Sequence, residues 1–420
     1  MRKILFVDDN PKEIKGLKKI LQPMLQEWEV EFALSGKEAL SFMNESIFDV
    51  IVSDTHMPEM NGVELLGIVM ERHPATVRII LSEHSDKEMV LKSVETAHQF
   101  LMKPCNVEII RYTIERACKL RDLLGNETLK RIVGGIKDLP SLPKLYNLII
   151  NEMKSPDASL KRVGEIIAQD ISMSAKILQL VNSAFFGLPR KITDPQQAAV
   201  YLGSETLKAL VLSINLFSSF PEDSELFWFS LADMRKRSLM VGRLARDIAN
   251  IESEDKSTVE VALIAGILHD IGRLIMLKIP DQCRMMMDFI ERTGCGLLEA
   301  EYTVMKTSHA ELGGYLLGLW GIDNSIVEAV AFHHNPSRLL EGTVVQLKKP
   351  SGEDVGNKLS QELSALTAVH IANSLMMQED SSSDTTIYPY VDIRYLKALN
   401  LENKLPEWMD CCNKIKQEDV

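Results

Sequence analysis

The chain has no Cys-X-X-Cys pair, no apolar run of membrane-spanning length and no excess of positive charge. Its six cysteines (105, 118, 283, 295, 411 and 412) are scattered, which points to reduced thiols and against a disulfide framework or a cysteine-ligated zinc site. The first apolar run, Ile4-Leu5-Phe6-Val7, ends at Asp8-Asp9 and is too short for the apolar region of a secretory signal. No stretch approaches the roughly 20 apolar residues of a membrane helix. Charge is acidic throughout: 15 basic against 19 acidic residues in the first 120, and 32 against 40 in the rest, for a net −12. A basic face for nucleic acid or an anionic membrane is therefore excluded. What is present, 420 residues with 45% hydrophobic and 25% charged, suits a globular cytoplasmic protein of two or three domains.

Residues 3–104 alternate strand-like runs (Lys3 to Val7, Val30 to Leu34, Asp49 to Ser53, Val77 to Ser82, Gln99 to Met102) with amphipathic helical segments. Five such repeats predict a doubly wound, five-stranded parallel sheet. From Val107 the pattern turns helical, and Val107, Ile110, Ile114, Ala117 and Leu124 form a near-heptad seam, a candidate connector or dimer stripe. Gly125-Asn126, Gly134-Gly135 and Leu139-Pro140-Ser141-Leu142-Pro143 then punctuate the chain as a hinge would. Beyond them helical periods dominate, including Met234 to Ile251, Val259 to Leu277, His309 to Trp320 and Ile326 to His334. The expected organisation is an α/β domain over 1–120, a helical linker over 121–138 and an all-helical domain over 139–420. Polar loops are expected near 340–360 and 379–384.

Asp54 ends the run Asp49-Val50-Ile51-Val52-Ser53, with Asp8-Asp9 ahead of it and Lys103-Pro104 behind. Carboxylates that follow apolar strands collect at the carboxyl edge of a parallel sheet, where such sheets place ligands. A carboxylate that accepts a phosphoryl group needs a divalent cation, because two anions must approach. Asp8 and Asp9 supply oxygen ligands, Lys103 an ammonium for the phosphoryl oxygens, and Ser82 a strand-end hydroxyl. His56 and His84, each two residues past a site residue, border the mouth of the same edge.

These residues resemble the response-regulator receiver family over residues 1 to about 120. Asp8-Asp9, Asp54, Ser82, Phe100, Lys103-Pro104 and the turn Met57-Pro58-(two residues)-Asn61-Gly62 match its pattern in order. The resemblance implies phosphorylation of Asp54 by a sensor histidine kinase and Mg²⁺ held by Asp8, Asp9, Asp54 and the backbone carbonyl of His56. It also implies phosphoryl contacts or switching at Lys103, Ser82, Thr55 and Phe100, and a cis Lys103-Pro104 bond. Homodimerisation and signalling to a downstream protein are expected.

Five of nine histidines fall in the helical half: 269, 309, 333, 334 and 370. His269-Asp270, His309 and His333-His334 make the ligand inventory of an HD-type phosphohydrolase, in which metal-bound hydroxide attacks a phosphodiester. The inventory has gaps. Arg237 stands where an earlier histidine is needed, His370 replaces the final aspartate, and no Gly-Tyr-Pro follows the histidine pair. With Leu139 to Pro143, the Asp170 region, Leu180 to Ala184, Ala199 to Gly203, His269 to Gly272 and His333 to Pro336, this half resembles the HDOD family, the HD-related output domain, over about 130–375. That resemblance implies a non-catalytic output module acting through protein contacts. The histidines are then expected to form a buried cluster in which His269, Asp270, His309 and His333 satisfy one another by hydrogen bonds. A divalent metal among them, and a receiver-gated cyclic-dinucleotide phosphodiesterase, are the alternatives.

Overall fold

The computed structural model describes residues 1–82, 96–103, 105–124, 127–134, 152, 159–167, 196–203, 207, 225–226, 229–276, 279–319, 324–340, 363–377 and 390–418. His84, Pro104, the Phe100 side chain, the 139–143, 170 and 180–184 blocks and most of the two expected polar loops lie outside them.

Five strands, β1 (Arg2–Val7), β2 (Trp28–Ala33), β3 (Val50–Asp54), β4 (Val77–Ser82) and β5 (Gln99–Met102), pair in parallel in the order β2-β1-β3-β4-β5. The expected doubly wound five-stranded sheet is thus observed. Its strands carry near-continuous apolar runs because both faces are covered. Leu5, Val7, Ile51 and Ile80 face α2 (Gly36–Glu45) and α3 (Gly62–Arg72), whereas Ile4, Phe6, Val52, Ile79 and Leu81 face the opposite side with α4 (Val107–Leu123). Helix α1 (Pro11–Ile20) starts on an Asn10 cap, α2 on Ser35, and α3 on a reciprocal Asn61/Glu64 capping box.

The near-heptad seam of α4 is internal. Ile110, Ile114, Ala117 and Leu124 are each 0% exposed, and α4 packs against α12 (His309–Leu319) of the helical half, so this stripe is not free for a second copy. An intramolecular helix satisfies the same apolar spacing as a dimer partner would. Helix α5 (Glu127–Gly134) follows, and the buried Arg78 guanidinium donates to its terminal Gly134 carbonyl (2.7 Å) and to Thr96 O (2.6 Å).

The helical half contains α6 (Leu160–Ile167), a short β6/β7 hairpin (Glu225–Leu226, Phe229–Ser230), α7 (Leu231–Glu252), α8 (Lys256–Leu268), α9 (Gly272–Met276), α10 (Pro280–Thr293), α11 (Leu297–Met305) and α12. It continues with α13 (Asn324–Phe332), α14 (Ala365–Met377), α15 (Ile393–Leu399) and α16 (Leu405–Glu418). Helices α7, α8, α13 and α14 pack on one another around the core. Val259 to Leu277, read as one helix, is split by a turn at 269–271. Gly272 is the reason the break can close against α12: a Cβ there would lie 1.8 Å from His309 O and 2.7 Å from Gly313 N. Among the described residues, no helix is long and apolar enough to cross a membrane.

Candidate functional site

The carboxyl edge of the sheet gathers the acidic residues. Strand pairing aligns Val7 with Ser53, Asp54 with Leu81 and Ser82 with Met102, so Asp8, Asp54, Ser82 and Lys103 emerge side by side. Lys103 Nζ donates to Asp8 Oδ2 (2.8 Å) and to Asp54 Oδ1. The second oxygens are held by backbone amides, His56 N–H on Asp54 Oδ2 (2.7 Å) and Asn10 N–H on Asp8 Oδ1 (2.9 Å). Gly62 lies directly over the phosphoacceptor candidate, where a Cβ would come within 2.0 Å of Asp54 O.

Asp8 and Asp54 are buried (2% and 8% exposed) and Asp9 is exposed beside them. Burial pushes the Asp54 carboxyl above its ordinary value, although Lys103 and the His56 amide pull it down. Burial also opposes charge on Lys103, but Asp54 and Asp8 overcome it and hold the ammonium above its ordinary value. One ammonium thus faces two buried carboxylates, with Asp9 exposed next to Asp8 in the chain, and the surplus negative charge fits a bound Mg²⁺.

Ser82 is fully buried at the end of β4. Thr55 is buried next to Asp54, and its hydroxyl donates to Leu81 O (2.9 Å). His56 is exposed at the rim.

Against this geometry the family comparisons are specific. Residues 4–115 match the response regulator receiver domain, and residues 139–336 match the HDOD domain. The chain joins a receiver domain to an HDOD domain. An uncharacterised protein of Treponema pallidum (strain Nichols) is 24% identical over 239 residues, covering 56% of this chain and 43% of its own. The transcriptional regulatory protein YdfI of Bacillus subtilis (strain 168) is 31% identical over 133 residues, covering 31% of this chain and 62% of its own. The chain therefore spans less than two thirds of either relative. A crystal structure of an HDOD domain protein of unknown function from Geobacter sulfurreducens aligns with TM-score 0.46 at 18% identity, covering 71% of this chain and 98% of that one.

The HDOD domain holds a second cluster. The turn after α8 places His269 and Asp270, α12 begins at His309, and the turn after α13 supplies His333 and His334. Asp270 Oδ1 lies 3.1 Å from His309 Nε2, Asp270 Oδ2 pairs with Arg273 Nε (3.1 Å), and His309 Nε2 lies 3.1 Å from His334 Nε2. His309 Nδ1 faces the fully buried Glu301 carboxylate of α11 (2.7 and 2.8 Å). The expected mutual satisfaction is only partial. His269 and His333 turn Nδ1 to the carbonyls of Gly266 (2.7 Å) and Val330 (2.8 Å), and their buried Nε2 atoms have no hydrogen-bond partner.

Burial lowers His269 to about 4 and His333 and His334 well below the ordinary histidine value. Burial also opposes charge on His309, but Glu301 and Asp270 outweigh it and raise His309 to about 9. Asp270 is buried as well, yet Arg273 and the adjacent histidines hold it well below the ordinary carboxylate range. His370 stands apart. Its Nδ1 donates to His333 O (2.6 Å) and its Nε2 accepts from Asp392 N–H (2.9 Å), so neither nitrogen is open to a ligand. Arg237 donates to Asn373 Oδ1 (3.0 Å).

Sequence reasoning missed Glu301 and Arg273. It also missed the contact between domains, where Gln99 Nε2 of β5 donates to Gly318 O at the end of α12 (3.0 Å) and Asn324 Nδ2 donates to Tyr112 Oη of α4.

Proposed function

We propose that this protein is a response regulator, phosphorylated on Asp54 by a sensor histidine kinase, whose HDOD domain signals through protein contacts and not through catalysis. The observation that carries the reading is Asp54 itself, a buried strand-end carboxylate with Lys103 on one oxygen and a backbone amide on the other. An oxygen of Asp54 attacks the phosphorus of the phosphohistidine donor, the P–N bond breaks, and the proton needed by the leaving imidazole comes from solvent. Mg²⁺ held by Asp8, Asp9, Asp54 and the His56 carbonyl would offset the charge of two approaching anions. Lys103 neutralises phosphoryl oxygens. Ser82 is the hydroxyl nearest in register to receive the new group, and Phe100 of β5 is the residue that answers its movement.

The route outward runs through β5 and α4 to α12. Gln99 touches the end of α12 at Gly318, and the other end, His309, enters the histidine cluster, so one 11-residue helix links receiver and output. A change at β5 shifts a packed two-state contact of the kind that typically carries about 1–3 kcal/mol of coupling. Non-catalytic output is supported by Arg237 in the place of a metal ligand and by His370, whose ring nitrogens are both engaged. The net charge of −12 argues against direct nucleic-acid binding, and the partner is a downstream signalling protein in the cytoplasm. Incubation with acetyl phosphate and Mg²⁺ tests the reading: the parent gains one acid-stable, base-labile phosphoryl group by intact mass. Equal labelling of Asp54→Ala would reject it.

A further inference from the structure

We propose that the HDOD domain binds one divalent transition-metal ion between Asp270, His309, His333 and His334, and that this ion is structural, tying three segments of the domain together. One donor atom from each of the four residues falls within 4.8 Å of all the others. The His309 Nε2 to Asp270 Oδ1 and His309 Nε2 to His334 Nε2 separations are both 3.1 Å, close to the edge of about 3.3 Å expected for a tetrahedron of ligands at metal–nitrogen distances of about 2.0–2.1 Å.

The rings are oriented from behind, as metal-bound imidazoles are. A carbonyl oxygen can only accept, so the Val330 contact fixes the His333 proton on Nδ1 and turns the Nε2 lone pair inward. Gly266 does the same for His269, and the Glu301 carboxylate receives Nδ1–H of His309. His333 then presents an inward-facing lone pair near the Asp270 carboxylate, and a cation would take the place of the proton that His309 holds against Asp270. The Nε2 atoms of His269 and His333 are buried without a hydrogen-bond partner, which leaves each desolvated and uncompensated. A cation at the convergence point gives His333 Nε2 the partner it lacks.

Three imidazoles and one carboxylate select Zn²⁺, Fe²⁺, Mn²⁺ or Co²⁺ over Mg²⁺ and Ca²⁺, which prefer all-oxygen shells. A single ion is expected. Asp270 turns Oδ2 to Arg273, and Arg237 lies within electrostatic reach of both His269 and Asp270, so fixed guanidinium charge occupies the flank where a second cation would sit. Four protein ligands close the shell, with His269 Nε2 beside it, whereas hydrolytic sites keep a position open for water. The ligands come from the turn after α8, the start of α12 and the turn after α13, so the ion fixes the end of α12 opposite its contact with Gln99. None of this depends on phosphorylation of Asp54.

Full-length protein exchanged against Zn²⁺, Fe²⁺, Mn²⁺ and Co²⁺, then desalted, is assayed by elemental analysis and, for Co²⁺, by visible absorption. The parent retains about one equivalent per chain and shows the intense ligand-field bands of four-coordinate Co²⁺. His333→Ala and His309→Ala lose the ion while still accepting phosphate from acetyl phosphate, which reports a folded receiver. His370→Gln keeps it. Metal-free parent after all four exchanges would overturn the proposal, whether or not the variants fold. So would two equivalents lost together, loss of the ion in His370→Gln, or hydrolysis of bis(p-nitrophenyl) phosphate by the loaded protein.

Discussion

Replacing Gly272 with alanine places a methyl group against the backbone of α12. The added Cβ would meet His309 O at 1.8 Å and His309 C at 2.8 Å, so the two segments must separate by about 1.5 Å to reach ordinary contact. The obstructing atoms are backbone, and no side-chain rotation relieves them. That displacement stretches the 3.1 Å contact between Asp270 and His309 beyond hydrogen-bond reach and leaves the buried carboxylate with its Arg273 ion pair and the more distant charge of Arg237. Overpacking alone costs roughly 1–3 kcal/mol, and breaking one side of a buried charge pair roughly 3–5 kcal/mol. The two overlap, and Gly272→Ala is expected to lose roughly 3–5 kcal/mol of HDOD stability. Urea titration followed by tryptophan fluorescence reads the loss, because Trp408 is buried in the helical half with Nε1 donating to Glu252 of α7 (3.2 Å). Gly16→Ala is the control: a Cβ there meets nothing within 4 Å in the middle of α1, and the change should stabilise by roughly 0.5–1 kcal/mol. A Gly272→Ala midpoint equal to the parent's would refute the close-approach reasoning.

Lys103→Met leaves Asp8 and Asp54 facing each other without their ammonium, and should destabilise the receiver by roughly 3–5 kcal/mol in EDTA, with much of the loss recovered in millimolar Mg²⁺; an Mg²⁺-independent loss would contradict the charge argument. Gln99→Ala orphans the Gly318 carbonyl and should cost roughly 1–2 kcal/mol in urea titration while acetyl phosphate still labels Asp54 at the parental rate. His269 is held near 4 against an ordinary 6.5, so the unfolded chain takes up its proton first, and stability falls as pH drops from about 6.5 toward 4; His333 and His334 act in the same direction. His309, raised to about 9, acts oppositely: its contribution is complete below about 6.5 and lost as pH rises through 9. Thermal midpoints of chelator-treated protein should therefore decline on both sides of neutrality, and a midpoint flat from pH 4 to 9 would contradict this.

The receiver site was legible because each acidic residue directly follows a buried apolar run, and parallel pairing turns that local pattern into adjacency. The HDOD site was legible only as an inventory. Glu301 sits in Leu-Leu-Glu-Ala-Glu, where a glutamate ordinarily faces solvent, and nothing local marks its pairing with a histidine eight residues on. The break at 269–271 depends on α12, which approaches Gly272 from some 40 residues away and leaves no periodic signal. The α4 seam shows the same limit. Near-heptad spacing specifies an apolar partner but not whose, and here the partner is α12 of the same chain.

Hydrogen exchange by mass spectrometry, with and without beryllofluoride and Mg²⁺, measures most directly whether Asp54 governs the receiver–HDOD contact. Exchange at residues 99–102 and 316–319 should change in the parent and stay fixed in Asp54→Ala. Identical exchange in both states of the parent, with Asp54 demonstrably occupied, would contradict a signal carried from β5 to α12.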